Sequence, residues 1–391
     1  MVICRNCKSK NTKRFFFKES TPFWYGKMNS ELNTNIKNCI LPAEIYLCFE
    51  CGFIFVPLSP KLQENFKFIY QSEQSDPGET YDDHGYGLRL TKQYFNDYHK
   101  VCGDYLPESL LEIGCQRGYI LNEFQKRGVN NVLGIEPGNV AAYHKNIPIK
   151  RGLFSRALLK NNKYEMVINS AVLEHIEDPN KFLSDINFCL TSKGKLFIAV
   201  PNEKYALLNG NVGMFVHVHI NYITPEIITG LLLNNGFKVL SVLDKPDQPL
   251  YIFAEKIGLP SKTFNWSNIL TSSIKYCAVY QDKVEENIQK FSHISREIGK
   301  TIIGLYGATF ETANLISWAR SGIKNIDFIV FDSDMRKVGS AYSGIPGIVK
   351  APDDLNQVED IIITPFRYQN DIYDYAQPYL KGNTKLYKLY N

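Results

Sequence analysis

The 391-residue chain is expected to be α/β throughout, with a doubly wound central domain, a cysteine-rich module before it and a second α/β domain after it. Three observations predict this. Residues 110–137, LLEIGCQRGYILNEFQKRGVNNVLGIEP, read as strand, glycine turn, helix and second strand, with Glu112 and Glu136 closing the two strands. The same order returns in TIIGLYGATFETANLISWARSG followed by IDFIVFDSD, which ends in Asp332 and Asp334. Alternating strands and helices of this kind build parallel sheets covered on both faces. The third observation is a pair of C-x2-C knuckles, Cys4/Cys7 and Cys48/Cys51, separated by 40 residues.

Residues 1–58 form the first expected module. Its two knuckles offer four thiolates to a tetrahedral Zn2+, and pairing within each knuckle lowers the entropy of assembling the site. Gly52 permits the tight turn after the second knuckle. Four protein ligands leave no open position, so such a zinc is structural; disulfides are the competing reading, disfavoured in a reducing compartment. The other five cysteines, Cys39, Cys102, Cys115, Cys189 and Cys277, are scattered and read as buried thiols. Residues 59–87 carry the polar stretch QSEQSDPGETYDDHGYG and read as a connecting loop or lid.

The central domain is expected over 88–256, starting with a helix at 88–102. The glycines of the 110–118 segment stand where the backbone must turn sharply from strand into helix, so a ligand can approach the main chain. Glu136 lies 22 residues beyond Gly114, where a second strand presents a carboxylate to ribose hydroxyls. Gln116 occupies the second glycine position of the dinucleotide fingerprint G-x-G-x-x-G. That change argues against a pyrophosphate packed on the turn and favours a nucleoside without phosphates. Further on, YEMVINS (164–170) reads as the fourth strand, 180–190 as helix, KLFIAVPN (195–202) as strand, 225–235 as helix, and 237–243 and 250–256 as strands.

This pattern resembles motif I and the acidic loop of class I S-adenosylmethionine (SAM) methyltransferases, whose Rossmann-like fold it implies. AVLEHIEDP (171–179) resembles the family's LEH segment. On that resemblance Gly114, Cys115 and Gly118 shape the turn beneath the methionine part of SAM, and Glu112 orients its ammonium. Glu136, followed by Pro137, accepts from the ribose hydroxyls, and Asn169 and Ser170 line the methyl-transfer side. Glu174 and His175 match the family segment and fit equally well as caps of the next helix.

With both Cys pairs and a C-terminal Rossmann-like series (Asp332, Gly344-Ile345-Pro346, Thr364-Pro365-Phe366), the full order resembles sugar methyltransferases that C-methylate nucleotide-linked 4-keto-deoxysugars. The resemblance implies a nucleotide-sugar substrate, SAM as methyl donor and structural Zn2+ on Cys4, Cys7, Cys48 and Cys51. In MFVHVHINYIT an extended chain places Phe215, His217, His219 and Asn221 on one face. His219 is the expected base, because imidazole can take a proton near neutral pH. Tyr81, His84, His217 and Tyr222 are the expected substrate contacts. Val218 stands where the family shows the Glu of a Glu-His pair, and Tyr81-Asp82-Asp83-His84 departs from its tyrosine-rich stretch. A hydroxyl nucleophile needs no carbanion, so O-methylation is the alternative.

Residues 257–300 read as a helical connector and 301–391 as the C-terminal domain, whose glycine turn is either a second nucleotide site or only the bend the fold needs. Charge is nearly balanced, 44 basic against 40 acidic residues for a net +4, which argues against a nucleic-acid partner. A zinc-containing RNA methyltransferase is therefore a weaker reading, as is a SAM-fold protein that only binds. No apolar run reaches the roughly 18 residues of a membrane span. The start, MVICRNCKSKNTKRFFF, lacks the apolar core of a secretion signal, so the expected location is the cytoplasm. Oligomeric state leaves no mark in the sequence.

Overall fold

The computed structural model describes residues 2–24, 39–71, 81, 83, 85–138, 142, 145–160, 162–246, 248–258 and 265–390. In chain order these residues form β1 (Thr12–Pro22), β2 (Ile40–Cys48), β3 (Ile54–Phe55), α1 (Pro60–Gln71) and α2 (Gly85–Cys102). The central series follows as β4 (Ser109–Ile113), α3 (Tyr119–Lys126), β5 (Asn131–Glu136), β6 (Ile149–Arg151), α4 (Arg156–Leu159), β7 (Tyr164–Ser170), α5 (Pro179–Cys189), β8 (Leu190–Val200) and α6 (Glu203–Leu208). Next come β9 (Asn221–Tyr222), α7 (Pro225–Asn234), β10 (Phe237–Leu243), β11 (Leu250–Lys256) and α8 (Ser267–Ile298). The chain closes with β12 (Ile302–Tyr306), α9 (Phe310–Trp318), β13 (Asp327–Phe331), β14 (Asp360–Ile363), α10 (Gln369–Ala376) and β15 (Lys385–Lys388).

These elements group into two compact units, neither continuous in sequence. One comprises residues 1–13, 46–204 and 218–274; the other comprises 14–45, 205–217 and 275–391. This differs from the linear division read from the sequence. The segment between the two Cys knuckles belongs largely to the second unit, and the long helix α8 contributes to both. The region 59–87 also differs from the loop expected there, because its first part is the helix α1. Pro60 opens that helix, and Leu62, Asn65, Phe66 and Ile69 form its buried stripe.

The first unit is built on a seven-stranded sheet in the order β10-β11-β8-β7-β4-β5-β6. Its ladders are parallel except those of β11, which runs antiparallel to both neighbours. Such a sheet is buried on both faces, which is why LLEI, EMVINS and LFIAV are nearly continuous apolar runs. Tyr94, Tyr98, Phe124, Met166, Phe197 and Phe253 belong to the core on one side of it. Helix starts follow their sequence signals. Asp178 caps α5 through Lys181 N and Thr224 caps α7 through Ile227 N, each followed by proline. The carboxyl ends of the parallel strands β4, β5 and β7 all open toward one edge, the usual ligand-binding edge of open α/β sheets.

The second unit has a parallel four-stranded sheet, β13-β12-β14-β15. Its glycine turn is tight: Gly307 has φ +112°, and a Cβ there would lie 2.3 Å from Pro365. Asp332 receives Ala308 N at 2.9 Å and pairs with Lys337 at 2.9 Å, so this carboxylate is already engaged within the unit. Glu311, in the first turn of α9, is buried and accepts from Phe366 N (2.9 Å) and the Tyr390 hydroxyl (2.7 Å).

Burial raises the Glu311 carboxyl to about 7, against the pull of those two donors. Between the unfolded value near 4.5 and 7 the folded form keeps a proton that the unfolded form has lost. Stability therefore falls as pH rises, by about 3 kcal/mol across that window. Denaturant titrations at pH 5 and pH 8 should show a larger loss in the wild type than in Glu311→Gln.

Candidate cofactor and acceptor site

The turn after β4 is shaped by its backbone. Gly114 (φ +74°) and Gly118 (φ +78°) both take left-handed conformations, and Gly114 N and Cys115 N donate to Ile135 O of β5 at 2.9 and 3.2 Å. A Cβ on Gly114 would lie 2.4 Å from Val172 Cγ2, and one on Gly118 would lie 2.7 Å from Ile147 Cγ2. Gln116 lies between them at φ +48°, a left-handed residue with a side chain where glycine would be free of strain. Gly114→Ala is expected to cost about 2 kcal/mol of stability and to weaken SAM binding, as melting curves with and without SAM would show.

Glu136 is 5% exposed and accepts Gln116 N at 2.9 Å on one oxygen and Gly138 N at 2.8 Å on the other. Burial raises its carboxyl while those two N–H groups oppose the shift. Each oxygen keeps a second lone pair, so the carboxylate is held still and can accept from a diol. Pro137 follows at the half-buried strand end. Glu112 is buried at the end of β4, and burial with Glu136 nearby pushes it well above the usual carboxylate range. Among the described residues its Oε2 has no hydrogen-bond partner, nor has either polar end of the fully buried Asn169 or Nδ2 of Asn122 on α3. A buried polar atom without a partner costs about 1–3 kcal/mol. A ligand carrying an ammonium and a carboxylate, as the methionine part of SAM does, fits this set. Asn122 is the member that sequence reading missed; its signal was a lone amide on the buried face of YILNEF.

Residues 86–242 match the family model described as a methyltransferase domain. Together with the strand order and the acid-flanked glycine turn, this decides the fold. Residues 86–242 have the class I SAM-methyltransferase fold. Over 160 residues the chain is 25% identical to the ubiquinone biosynthesis O-methyltransferase of Bartonella bacilliformis, covering 36% of this chain and 64% of that protein. It is 27% identical over 157 residues to the mitochondrial ubiquinone biosynthesis O-methyltransferase of Bos taurus, covering 34% of this chain and 42% of that protein. The chain thus spans less than two thirds of the length of these relatives. Among solved structures it is similar to an S-adenosylmethionine-dependent methyltransferase from Mesorhizobium loti (TM-score 0.32, 14% identity, 38% of this chain and 90% of that one). Another is magnesium protoporphyrin IX methyltransferase from Synechocystis PCC 6803 (TM-score 0.34, 16% identity, 50% and 95%).

Beside the methyltransferase domain's glycine turn, the LEH segment is a single 3-10 turn, Leu173–His175. The chain at 218–221 is stitched onto it. Ile220 N donates to Glu174 O at 2.8 Å, and Asn221 Nδ2 donates to Leu173 O and Ile176 O at 2.9 and 2.7 Å. His175 Nδ1 lies 2.7 Å from Val218 O, with the Tyr70 hydroxyl 3.1 Å from the same nitrogen. This brings the rings of His175 and His219 to 5.0 Å, edge to face. Tyr81 packs edge to face against Tyr94, ring centroids 5.4 Å apart. Burial raises the Tyr81 phenol, with Glu112 and Glu174 adding to the shift.

The extended face expected to join His217 to His219 does not form. Among these residues only Asn221–Tyr222 is strand, and His217 belongs to the other unit. There its ring is 2% exposed, between Phe23 and Phe215 at 5.4 and 4.9 Å. Burial lowers it to about 4, so it is a neutral core ring. A 3-10 turn at Val212–Met214 and a further turn at His217-Val218 break the extended run, so the two-residue alternation does not carry from His217 to His219. Tyr222 is fully buried in the β3–β9 ladder opposite Ile54. His84 lies outside the described residues.

The four knuckle cysteines converge, with Cys4 Sγ to Cys51 Sγ 3.7 Å and Cys7 Sγ to Cys48 Sγ 3.5 Å. All four sulfurs lie within 4.8 Å of one another. A zinc at about 2.3 Å from each sulfur of a tetrahedron requires edges of about 3.8 Å. The donor set therefore fits a structural Zn2+ held by Cys4, Cys7, Cys48 and Cys51. Asn6 Nδ2 points at Cys51 Sγ (3.4 Å), an outer-shell donor of the kind that steadies thiolate sites. No helix among the described residues is long and apolar enough to cross a membrane.

Proposed function

We propose that the protein methylates a nucleotide-activated deoxysugar at the carbon beside a keto group, with His219 as the base. The observation that carries this reading is the placement of His219. The 218–221 segment is bound to the 3-10 turn Leu173–His175 that follows β7, the strand whose last residues are Asn169 and Ser170. SAM supplies an electrophilic methyl on sulfonium. The protein's part is to fix the acceptor in line with it and to take one proton, and positioning alone can supply much of the acceleration. The sugar class is supported by the order of a four-cysteine cluster, a methyltransferase domain and a further glycine-turn α/β sheet within one chain.

Val218, and relatives named O-methyltransferases, favour methyl transfer to a sugar hydroxyl as the second reading. Deuterium exchange separates the two. With S-adenosylhomocysteine in the site and a 4-keto sugar nucleotide in heavy water, the first reading expects deuterium at the carbon beside the keto group. The absence of exchange on a sugar that is nonetheless methylated at oxygen would reject it.

A further inference from the structure

Glu174 is 1% exposed, and among the described residues no other residue hydrogen-bonds to either carboxylate oxygen. Burial raises this carboxyl to about 8, opposed by a backbone N–H and reinforced by Glu203. The side chains acting on it from the neighbouring elements are Glu203, the Tyr81 phenol, His175 and His219. His175 cannot serve as its cation. Val218 O can only accept, so His175 Nδ1 carries the hydrogen and Nε2 presents a lone pair to Glu174 Oε1 at 4.0 Å. Burial also holds this ring to about 4, hence neutral. A carboxylate oxygen, a His175 nitrogen and a His219 nitrogen all lie within 4.8 Å of one another, which among the described residues leaves His219 as the group beside Glu174 that can become a cation.

We propose that Glu174 is a positioning residue for His219, its carboxylate receiving the imidazolium that forms when His219 takes the acceptor's proton. This rests on the reading of His219 as base. The acceptor's C–H or O–H bond breaks, the proton passes to a His219 nitrogen, and the electron pair left on the acceptor forms the new bond to the methyl carbon. The S–CH3 bond breaks and leaves S-adenosylhomocysteine, and the imidazolium, held against Glu174, returns its proton to solvent. Below about pH 8 the buried Glu174 carboxyl still holds its own proton; the positive charge forming on His219 favours release of that proton to solvent, and the resulting carboxylate then stabilises the imidazolium. In the sequence the acid and the base are 45 residues apart, and the Leu173 and Ile176 carbonyls that hold Asn221 bring them together.

The test uses full-length, zinc-loaded protein labelled with 13C-histidine, in wild-type, Glu174→Gln and Glu174→Asp forms, with His219→Asn to assign the resonance. The expected result is that His219 titrates at lower pH in Glu174→Gln than in the wild type, and that Glu174→Asp restores part of the difference. Alongside it, kcat should fall about 100-fold in Glu174→Gln with KM and SAM affinity little changed. The same His219 titration in wild type and Glu174→Gln would overturn the pairing, as would loss of rate in His219→Asn but not in Glu174→Gln. One equivalent of Mn2+ or Co2+ bound beyond the cysteine site, and lost in Glu174→Gln, would also overturn it, making the cluster a metal site. A full rate in His219→Asn would sink the underlying base reading instead.

Discussion

His219→Asn is expected to slow methyl transfer by about 100- to 10,000-fold while leaving SAM binding within a few-fold of wild type. That range is the ordinary contribution of a positioned general base. The two effects separate because the cofactor's expected partners, Glu112, Glu136 and Asn169, end strands β4, β5 and β7, whereas His219 arrives on the segment bound to the LEH turn. Asparagine keeps a polar side chain of similar size beside His175, so the substitution removes the proton acceptor with little loss of packing. Steady-state kinetics with labelled SAM, with calorimetry of SAM binding on the same samples, gives both numbers. Weakened SAM binding in step with the lost rate would place His219 in the cofactor site instead.

The second large effect is expected from the cysteine cluster. Removing the metal with a strong chelator, or replacing Cys48 with serine, should lower the melting temperature of the first unit and greatly reduce activity. Structural zinc sites in small modules contribute binding free energies of about 10 kcal/mol to folding. The link to activity runs through the backbone. Cys48 N receives no help from a helix; it donates to Phe53 O at 2.9 Å, closing the knuckle just before β3. Ile54 and Phe55 of β3 then pair with Tyr222 and Asn221, and Val56 N donates to Ile220 O at 3.0 Å. The knuckle thus supports the segment that carries His219. Release of one zinc per chain, with parallel loss of structure and activity, is the expected result of a chelator titration read by metal analysis and circular dichroism.

What the sequence revealed was mainly local. The turn after Ile113 needs glycines at left-handed φ, strands buried on both faces need apolar runs, and α7 needs a cap with proline behind it; each leaves a signature within a few residues. Glu136 was legible because its distance from Gly114 is set by one helix and one strand. What stayed hidden depends on contacts far apart in the chain. The helix α1 went unread beside a conspicuous polar stretch. His217 and His219 look equivalent in the sequence, yet the compact units divide between residues 217 and 218, leaving one ring among phenylalanines and the other beside His175. Nothing near Glu174 in the sequence announces that its carboxyl is buried, because the groups around it come from other segments.

The most direct test of the central claim is methyl transfer itself. Purified, zinc-loaded protein is incubated with methyl-labelled SAM and dTDP-, GDP-, UDP- and CDP-linked sugars, in 4-keto and reduced forms, and products are read by mass and NMR. The expected product is a 4-keto deoxysugar nucleotide carrying one new methyl, bonded to the carbon beside the carbonyl. SAM binding with no transfer to any of these sugars would contradict it.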